Sequence, residues 1–95
     1  MPETAAPVVL PARVAFDNAS QVLEDLAREL SARPDPVILL DPCKDFDSSL
    51  IAVLLELIRR GQAVGRRPQL RAPTPNLLKL AALYGVQGLL FDECH

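Results

Sequence analysis

The chain has 95 residues, 49% hydrophobic and 23% charged, which suits one compact domain and leaves no room for a second. A net charge of −2 and the absence of tryptophan argue against nucleic-acid binding, which uses basic surfaces and aromatic stacking. The longest uncharged apolar run, residues 50–55, is too short to span a bilayer, so we expect a cytoplasmic protein.

The domain is predicted to span residues 8–91. Residues 1–7 contain two of the nine prolines and show no periodicity, which predicts a flexible arm, and residues 92–95 are expected to be a tail. Residues 8–16 predict a first strand with Leu10, Val14 and Phe16 on one side. Since Pro11 cannot donate a ladder hydrogen bond, this strand should lie at an edge or be broken.

A first helix is predicted after Asp17. Asn18 is a candidate N-cap, and Gln21 stands where a capping-box partner would be. Apolar residues then recur at helical spacing until Pro34 and Pro36 end the helix: Val22, Leu23, Leu26, Ala27 and Leu30.

Residues 37–40 are four consecutive apolar residues that stop at Asp41, and a long apolar helix pattern follows at about residues 48–64. This is typical of a buried, central parallel strand that leads into its crossover helix. Sites in open α/β sheets gather beyond the carboxyl ends of strands, and Ser48 stands at that place.

The second helix carries more apolar surface than one sheet face can cover. Its core arc contains Leu50, Val53, Leu54, Leu57, Ile58 and Gly61. A further flank is lined by Ser48, Ile51, Leu55 and Gln62. Either another helix of the same fold covers this flank, or it is a surface for a partner.

Basic residues crowd the end of this helix and the turn after it: Arg59, Arg60, Arg66, Arg67 and Arg71. They indicate either a solvated helix end or a surface that docks to acidic protein or lipid phosphate.

The remaining chain predicts a short strand at residues 69–72, a third helix and a closing strand at residues 86–91. Thr74 followed by Pro75 is a strong helix start, and Gly85 a typical helix stop. The residues expected to face inward are Leu77, Leu80, Ala81 and Tyr84. The alternation indicates an α/β fold with a four-stranded, mostly parallel or mixed sheet and three main helices.

The sequence contains little that supports a catalytic function. None of the four glycines forms a phosphate-binding loop, and the single histidine, His95, is terminal. Cys43 and Cys94 are too far apart for a redox motif and are interpreted as reduced thiols. We therefore expect no enzyme activity, no metal site and no cofactor.

The run at residues 46–55, preceded by a strand that ends at Leu40 and Asp41, resembles the central signature of STAS domains. This family is named for sulfate transporters and anti-sigma-factor antagonists. Residues 10–18 are similar to its first strand and helix start, and residues 76–86 resemble its third helix. The resemblance covers roughly residues 8–91.

The most similar branch is the small stand-alone, MlaB-like STAS subunit of the bacterial Mla phospholipid ABC transporter, which acts in outer-membrane lipid asymmetry. The resemblance implies a non-catalytic accessory subunit that binds and stabilises the cytoplasmic ATPase. Contact with the inner membrane would be peripheral, only through the complex. The implied partner-binding residues are Asp47, Ser48, Ser49, Ile51 and Leu55.

The alternative is an anti-sigma-factor antagonist regulated by phosphorylation of Ser48, because this position resembles the serine that the partner kinase phosphorylates in that branch. Those antagonists usually carry glycine after the Asp-Ser-Ser run, where this chain has Leu50. The difference favours the transporter subunit.

Overall fold

The computed structural model describes residues 7–91. The predicted tail and all of the predicted arm except Pro7 lie outside this range. The described part contains parallel strands in two small sheets: β1 (Val8–Val9), β2 (Arg13–Val14), β3 (Val37–Leu39), β4 (Asp45–Phe46) and β5 (Gln69–Arg71). It also contains four helices: α1 (Ala19–Ser31), α2 (Ser49–Ala63), α3 (Pro75–Leu83) and α4 (Gln87–Phe91).

The predicted central strand is confirmed. β3 lies between β1 and β5, and Ile38 is paired with Val8 on one side and Leu70 on the other. Ile38 is fully buried, as is Leu40 just after the strand. The run of apolar residues therefore marks the element that the rest of the chain packs around.

Both alternatives expected from Pro11, an edge position and a break, apply, because β1 is an edge strand of its sheet and the pairing changes at the proline. β1 pairs with β3, whereas β2, beyond the proline, pairs with β4 in a second sheet. The segment that pairs with it is interrupted as well, between β3 and β4. There Cys43 N–H donates to the Leu40 carbonyl in a turn that contains Pro42. Neither proline has an N–H for the ladder, so one continuous sheet gives way to two short ones.

The predicted first helix is present as α1, and Val22, Leu26 and Leu30 are its buried residues. Asn18 is the N-cap residue, but the expected capping box is wrong. The Asn18 side chain accepts from Ala15 N–H at 2.8 Å and donates to the Arg13 carbonyl at 3.0 Å, while Gln21 donates to Asp25. The side chain stabilises the turn before the helix instead of the first helical turn.

α2 buries the predicted core arc apart from the half-buried Gly61, and of the further flank it also buries Ile51, which is one of the implied partner-binding residues. That side chain is only 4% exposed and belongs to the main hydrophobic core. Leu55 is half-buried, and α4 packs against α2. Of the two alternatives for this flank, coverage by the fold itself applies to Ile51.

The start and end of α3 are as predicted. The Thr74 hydroxyl accepts from Leu77 N–H at 3.2 Å, and Gly85 has a φ of 73°. Leu77 and Ala81 are buried, whereas Tyr84, expected to face inward, is 53% exposed.

The closing strand predicted at residues 86–91 is wrong, because this segment forms α4. Short apolar runs do not distinguish strand from helix by periodicity. The helix packs against α2 and α3 and buries Leu90 while Leu89 stays exposed. The Arg67 guanidinium donates to the Leu89 carbonyl at 2.8 Å, which holds α4 to the turn before β5.

Candidate partner-binding site

The candidate site lies where β4 runs into α2. Asp47 directly follows β4, Ser48 is the N-cap residue of α2, and Ser49 is its first helical residue. β2 is the parallel partner of β4, so the residues that follow β2 reach the same edge. The predicted position beyond the carboxyl end of a strand is therefore occupied by these polar residues.

The Asp47 carboxylate links the two chain segments at this edge. Its Oδ1 accepts from Ser49 N–H at 2.8 Å, and its Oδ2 accepts from Phe16 N–H at 3.1 Å. These two backbone donors, Ser49 first and then Phe16, lower the pKa of Asp47 below its usual value. Asp47 thus satisfies a free N–H at the start of α2 and fixes the turn after β2.

Ser48 is exposed and does not cap the helix. Its backbone is helical, with φ −64° and ψ −13°, and its side chain makes no capping hydrogen bond. A serine at a helix start is most often a cap, but here Asp47 takes that role. The Ser48 hydroxyl can therefore both donate to and accept from an external group.

The five residues predicted for partner binding do not form one exposed surface. Asp47 and Ser48 are exposed, and Ser49 is half-buried. Ile51 is buried, and Leu55 lies further along α2 in a shallow groove of about 300 Å³ that Leu89 of α4 also lines. The accessible site is the turn before α2 rather than an apolar flank along it.

Phe16 is part of this edge, although the predicted first strand put it on the same side as Leu10 and Val14, which are buried. Its side chain is 86% exposed, and its backbone N–H is the one that Asp47 holds. β2 ends at Val14, so the inward-outward alternation does not continue to Phe16. The adjacent Asp17 and Asn18, which favour turns, were the available signal that the strand ends before Phe16.

Arg13 links acidic side chains on the same edge. Its guanidinium binds Asp17 through two hydrogen bonds of 2.9 and 3.2 Å and lies 3.7 Å from Asp45. The hydrogen bond from Arg13 lowers the pKa of Asp17. Because these groups are exposed, solvent screens the pairs, which orient the side chains more than they stabilise the fold.

The arginine cluster after α2 is largely engaged within the protein. Arg59 and Arg60 both bind Glu56, and Arg60 also reaches Glu24 at 3.3 Å. Arg66 donates to a backbone carbonyl of α1, and Arg67 to one of α4. These contacts favour the structural interpretation of the cluster over a free basic surface.

Among the described residues there is neither a reactive cysteine nor a cluster of metal ligands. Cys43 is a buried free thiol whose pKa burial raises, which disfavours the reactive thiolate. Residues 7–91 contain no group of three metal-ligating side chains. Within the same range, no helix has both the length and the apolar character needed to cross a membrane.

Comparison with known protein families gives one match. The family model described as "Mlab, STAS domain" matches residues 2–91, which is nearly the whole chain. Comparisons with curated proteins and with solved structures gave no match.

Proposed function

The chain belongs to the STAS domain family, in its MlaB-like branch, and from this premise we propose that it is an accessory subunit of an ABC-type phospholipid transporter. In this role it binds and stabilises the cytoplasmic ATPase subunit through the turn before α2 and thereby supports outer-membrane lipid asymmetry. The domain family is generally non-catalytic, and the proposed role requires no catalysis. Its contact with the inner membrane is indirect, through the complex.

The observation that carries this proposal is the exposed Ser48 hydroxyl on a turn that the fold already holds in place. Asp47 makes the capping contact, so the fold does not use Ser48 for that purpose. A surface whose backbone is ordered before binding loses little conformational entropy when a partner docks. This arrangement suits constitutive binding of a partner protein.

Phosphorylation of Ser48 in an anti-sigma-factor antagonist is the second candidate, and the same exposure makes it accessible to a kinase. Leu50 is fully buried, so its bulk does not obstruct that surface and no longer argues against a kinase. The charges do argue against it. A phosphate on Ser48 would adjoin the Asp47 carboxylate, and Arg13 on the same edge is already bound to Asp17.

The deciding experiment is purification of the tagged chain from its own cells at native expression level, followed by identification of the co-eluting proteins. An ABC ATPase with membrane components supports the transporter role, and a small kinase supports the alternative. Absence of both rejects both functions. A folded Ser48→Arg variant is the matched control, because it should lose the specific partner and keep the background.

If the transporter proposal is right, deleting the gene should also lower the cellular level of the ATPase subunit, since an accessory subunit that stabilises its partner protects it from degradation. Unchanged ATPase abundance in the deletion strain would reject the stabilising role. Re-expression of the wild-type chain should restore the level, and re-expression of Ser48→Arg should not.

A further inference from the structure

We propose that Phe16 is the anchor residue of the interface, and that it inserts into an apolar pocket of the partner protein that is bordered by cationic side chains. This inference rests on the proposed function, because it concerns the same edge of the molecule. It moves the centre of the interface from the turn before α2 to the adjoining turn between β2 and α1.

The exposure of Phe16 is built into the fold. Asp47 holds the Phe16 N–H at 3.1 Å, and the turn around it is closed by Asn18 N–H, which donates to the Ala15 carbonyl at 3.0 Å. The Asn18 side chain adds a second bond to the same turn, accepting from Ala15 N–H. The aromatic ring is therefore presented by an ordered backbone, and it has only two side-chain torsions to immobilise on binding.

Binding energy at protein interfaces is concentrated in a few large side chains that fill pockets, and aromatic residues are enriched among them. At this edge Phe16 is the one large apolar side chain that is mostly exposed within the described residues. Ile51 is buried and Leu55 half-buried, so neither can fill a pocket without displacement of its own neighbours. Phe16 is thus the side chain able to supply the apolar contact beside Ser48.

The charge of the side chains around Phe16 indicates which charge the partner's surface should carry. Residues 13–17 and 45–47, which include β2, β4 and the turns after them, carry three carboxylates, Asp17, Asp45 and Asp47, against the one cation Arg13. All four side chains belong to exposed residues. A partner that borders its pocket with lysine or arginine gains attraction here, whereas an acidic border is repelled.

The test is calorimetric titration of the purified chain with the ATPase that co-purifies with it, or with the kinase if that is the partner captured. Phe16→Ala should weaken binding by about 30-fold or more, as truncation of an interface anchor does, and Phe16→Leu should recover part of the loss. Leu83→Ala is the matched control, because Leu83 is a similarly exposed apolar residue, 79% exposed, on α3. Its affinity should stay within twofold of wild type.

The predicted cationic border of the partner's pocket is tested by measuring association rates and their dependence on salt. Asp45→Asn, which removes a carboxylate that is 75% exposed, should slow association and make it less sensitive to salt. Faster association of Asp45→Asn, or association that speeds up as salt is added to the wild type, would contradict a cationic pocket border.

The outcomes separate this inference from the proposed function. If Phe16→Ala binds within twofold of wild type while Ser48→Arg abolishes binding, the anchor assignment is wrong and the proposed function stands. If both variants bind the ATPase like the wild type, this edge is not the interface, and both the anchor assignment and the proposed binding site at the turn before α2 are wrong. Because the Phe16 side chain is exposed, thermal melts of the Ala and Leu variants should match the wild type. A melt shifted for both would instead assign Phe16 a structural role and overturn the inference.

Discussion

The Asp47 carboxylate accepts a hydrogen bond of 3.1 Å from the backbone N–H of Phe16, which lies 31 positions earlier in the chain. The same carboxylate accepts from Ser49 N–H at the start of α2. One side chain therefore stabilises a helix and holds two exposed residues, Phe16 and Ser48, on one edge. Stability of the fold and preorganisation of the candidate interface depend on the same group.

Asp47→Ala should lower the melting temperature by about 4 °C or more, because it removes a helix-capping contact and a link between two turns. Asp47→Asn should have a smaller effect, since the amide oxygen can still accept one of the two hydrogen bonds. Circular dichroism melts provide the measurement. Partner affinity should fall in both variants even at temperatures where they are fully folded. A melting temperature of Asp47→Ala equal to that of the wild type would show that the two bonds do not contribute.

Substitutions at Ser48 should change binding and leave folding intact, because the side chain makes no capping bond. Ser48→Thr should be tolerated, and Ser48→Ala should lose one hydrogen bond, worth about 0.5–1.5 kcal/mol of binding energy. Ser48→Glu and Ser48→Arg should abolish binding by placing an unpaired charge in the contact. Affinities measured by calorimetry, with melts as the folding control, test this order.

The native protein and the Ser48→Arg variant also distinguish the two functional candidates. Stoichiometric phosphate on Ser48 in the intact mass of the native protein would support the phosphorylated regulator. Unmodified protein bound to the ATPase would support the transporter subunit. Full binding by Ser48→Arg would remove this residue from the interface.

Gly61→Ala should destabilise the protein although alanine is the better helix former. A Cβ at this position would lie 2.5 Å from the Arg66 carbonyl oxygen and 2.6 Å from the Pro68 ring, so the turn after α2 must move. Such overpacking costs about 1–3 kcal/mol. Gly88→Ala in α4 is the matched control, because nothing lies within 4 Å of its Cβ position. It should be neutral or stabilise the protein by up to about 1 kcal/mol. Urea unfolding compares the two, and equal stabilities would contradict the close approach at Gly61.

Acid should weaken the ion pairs that Glu56 makes with Arg59 and Arg60 within α2. Hydrogen bonds from Arg59 and Arg60 lower the pKa of Glu56 from 4.5 to about 2 in the folded protein. Since the folded pKa is the lower one, this contribution to stability is complete above pH 4.5 and is lost as the pH falls towards about 2.

Unfolding experiments across this pH range should show a shallower loss of stability for Glu56→Gln than for the wild type. The Arg59 side chain is exposed and that of Arg60 partly exposed, so added salt should reduce the difference between the two proteins. A Glu56→Gln profile parallel to that of the wild type at low salt would contradict the assignment.

Elements with strong local signals could be predicted from the sequence. The apolar run at residues 37–40 indicated the central strand, and the Thr74–Pro75 start and Gly85 stop bounded α3, because caps and turns depend on neighbouring residues. The break at Pro11 followed from the missing N–H in the same way. α4 was missed because residues 86–91 satisfy both a strand and a helix pattern, and only contact with α2 and α3 selects between them.

The same distinction between local signals and tertiary contacts holds for the candidate site. The sequence by itself determined the family, the α/β class and the position of Asp47 and Ser48 at the start of the second helix, since these follow from residue order and local backbone preference. Only the tertiary structure decided that Ile51 is buried, that Asp47 rather than Ser48 caps α2, and that Phe16 is exposed. The Asp47–Ser49 bond is local, but the same carboxylate also holds the Phe16 N–H from 31 positions earlier, and Ile51 is buried within the main hydrophobic core. The free energy of such long-range contacts is not encoded in the spacing of residues along one helix or strand.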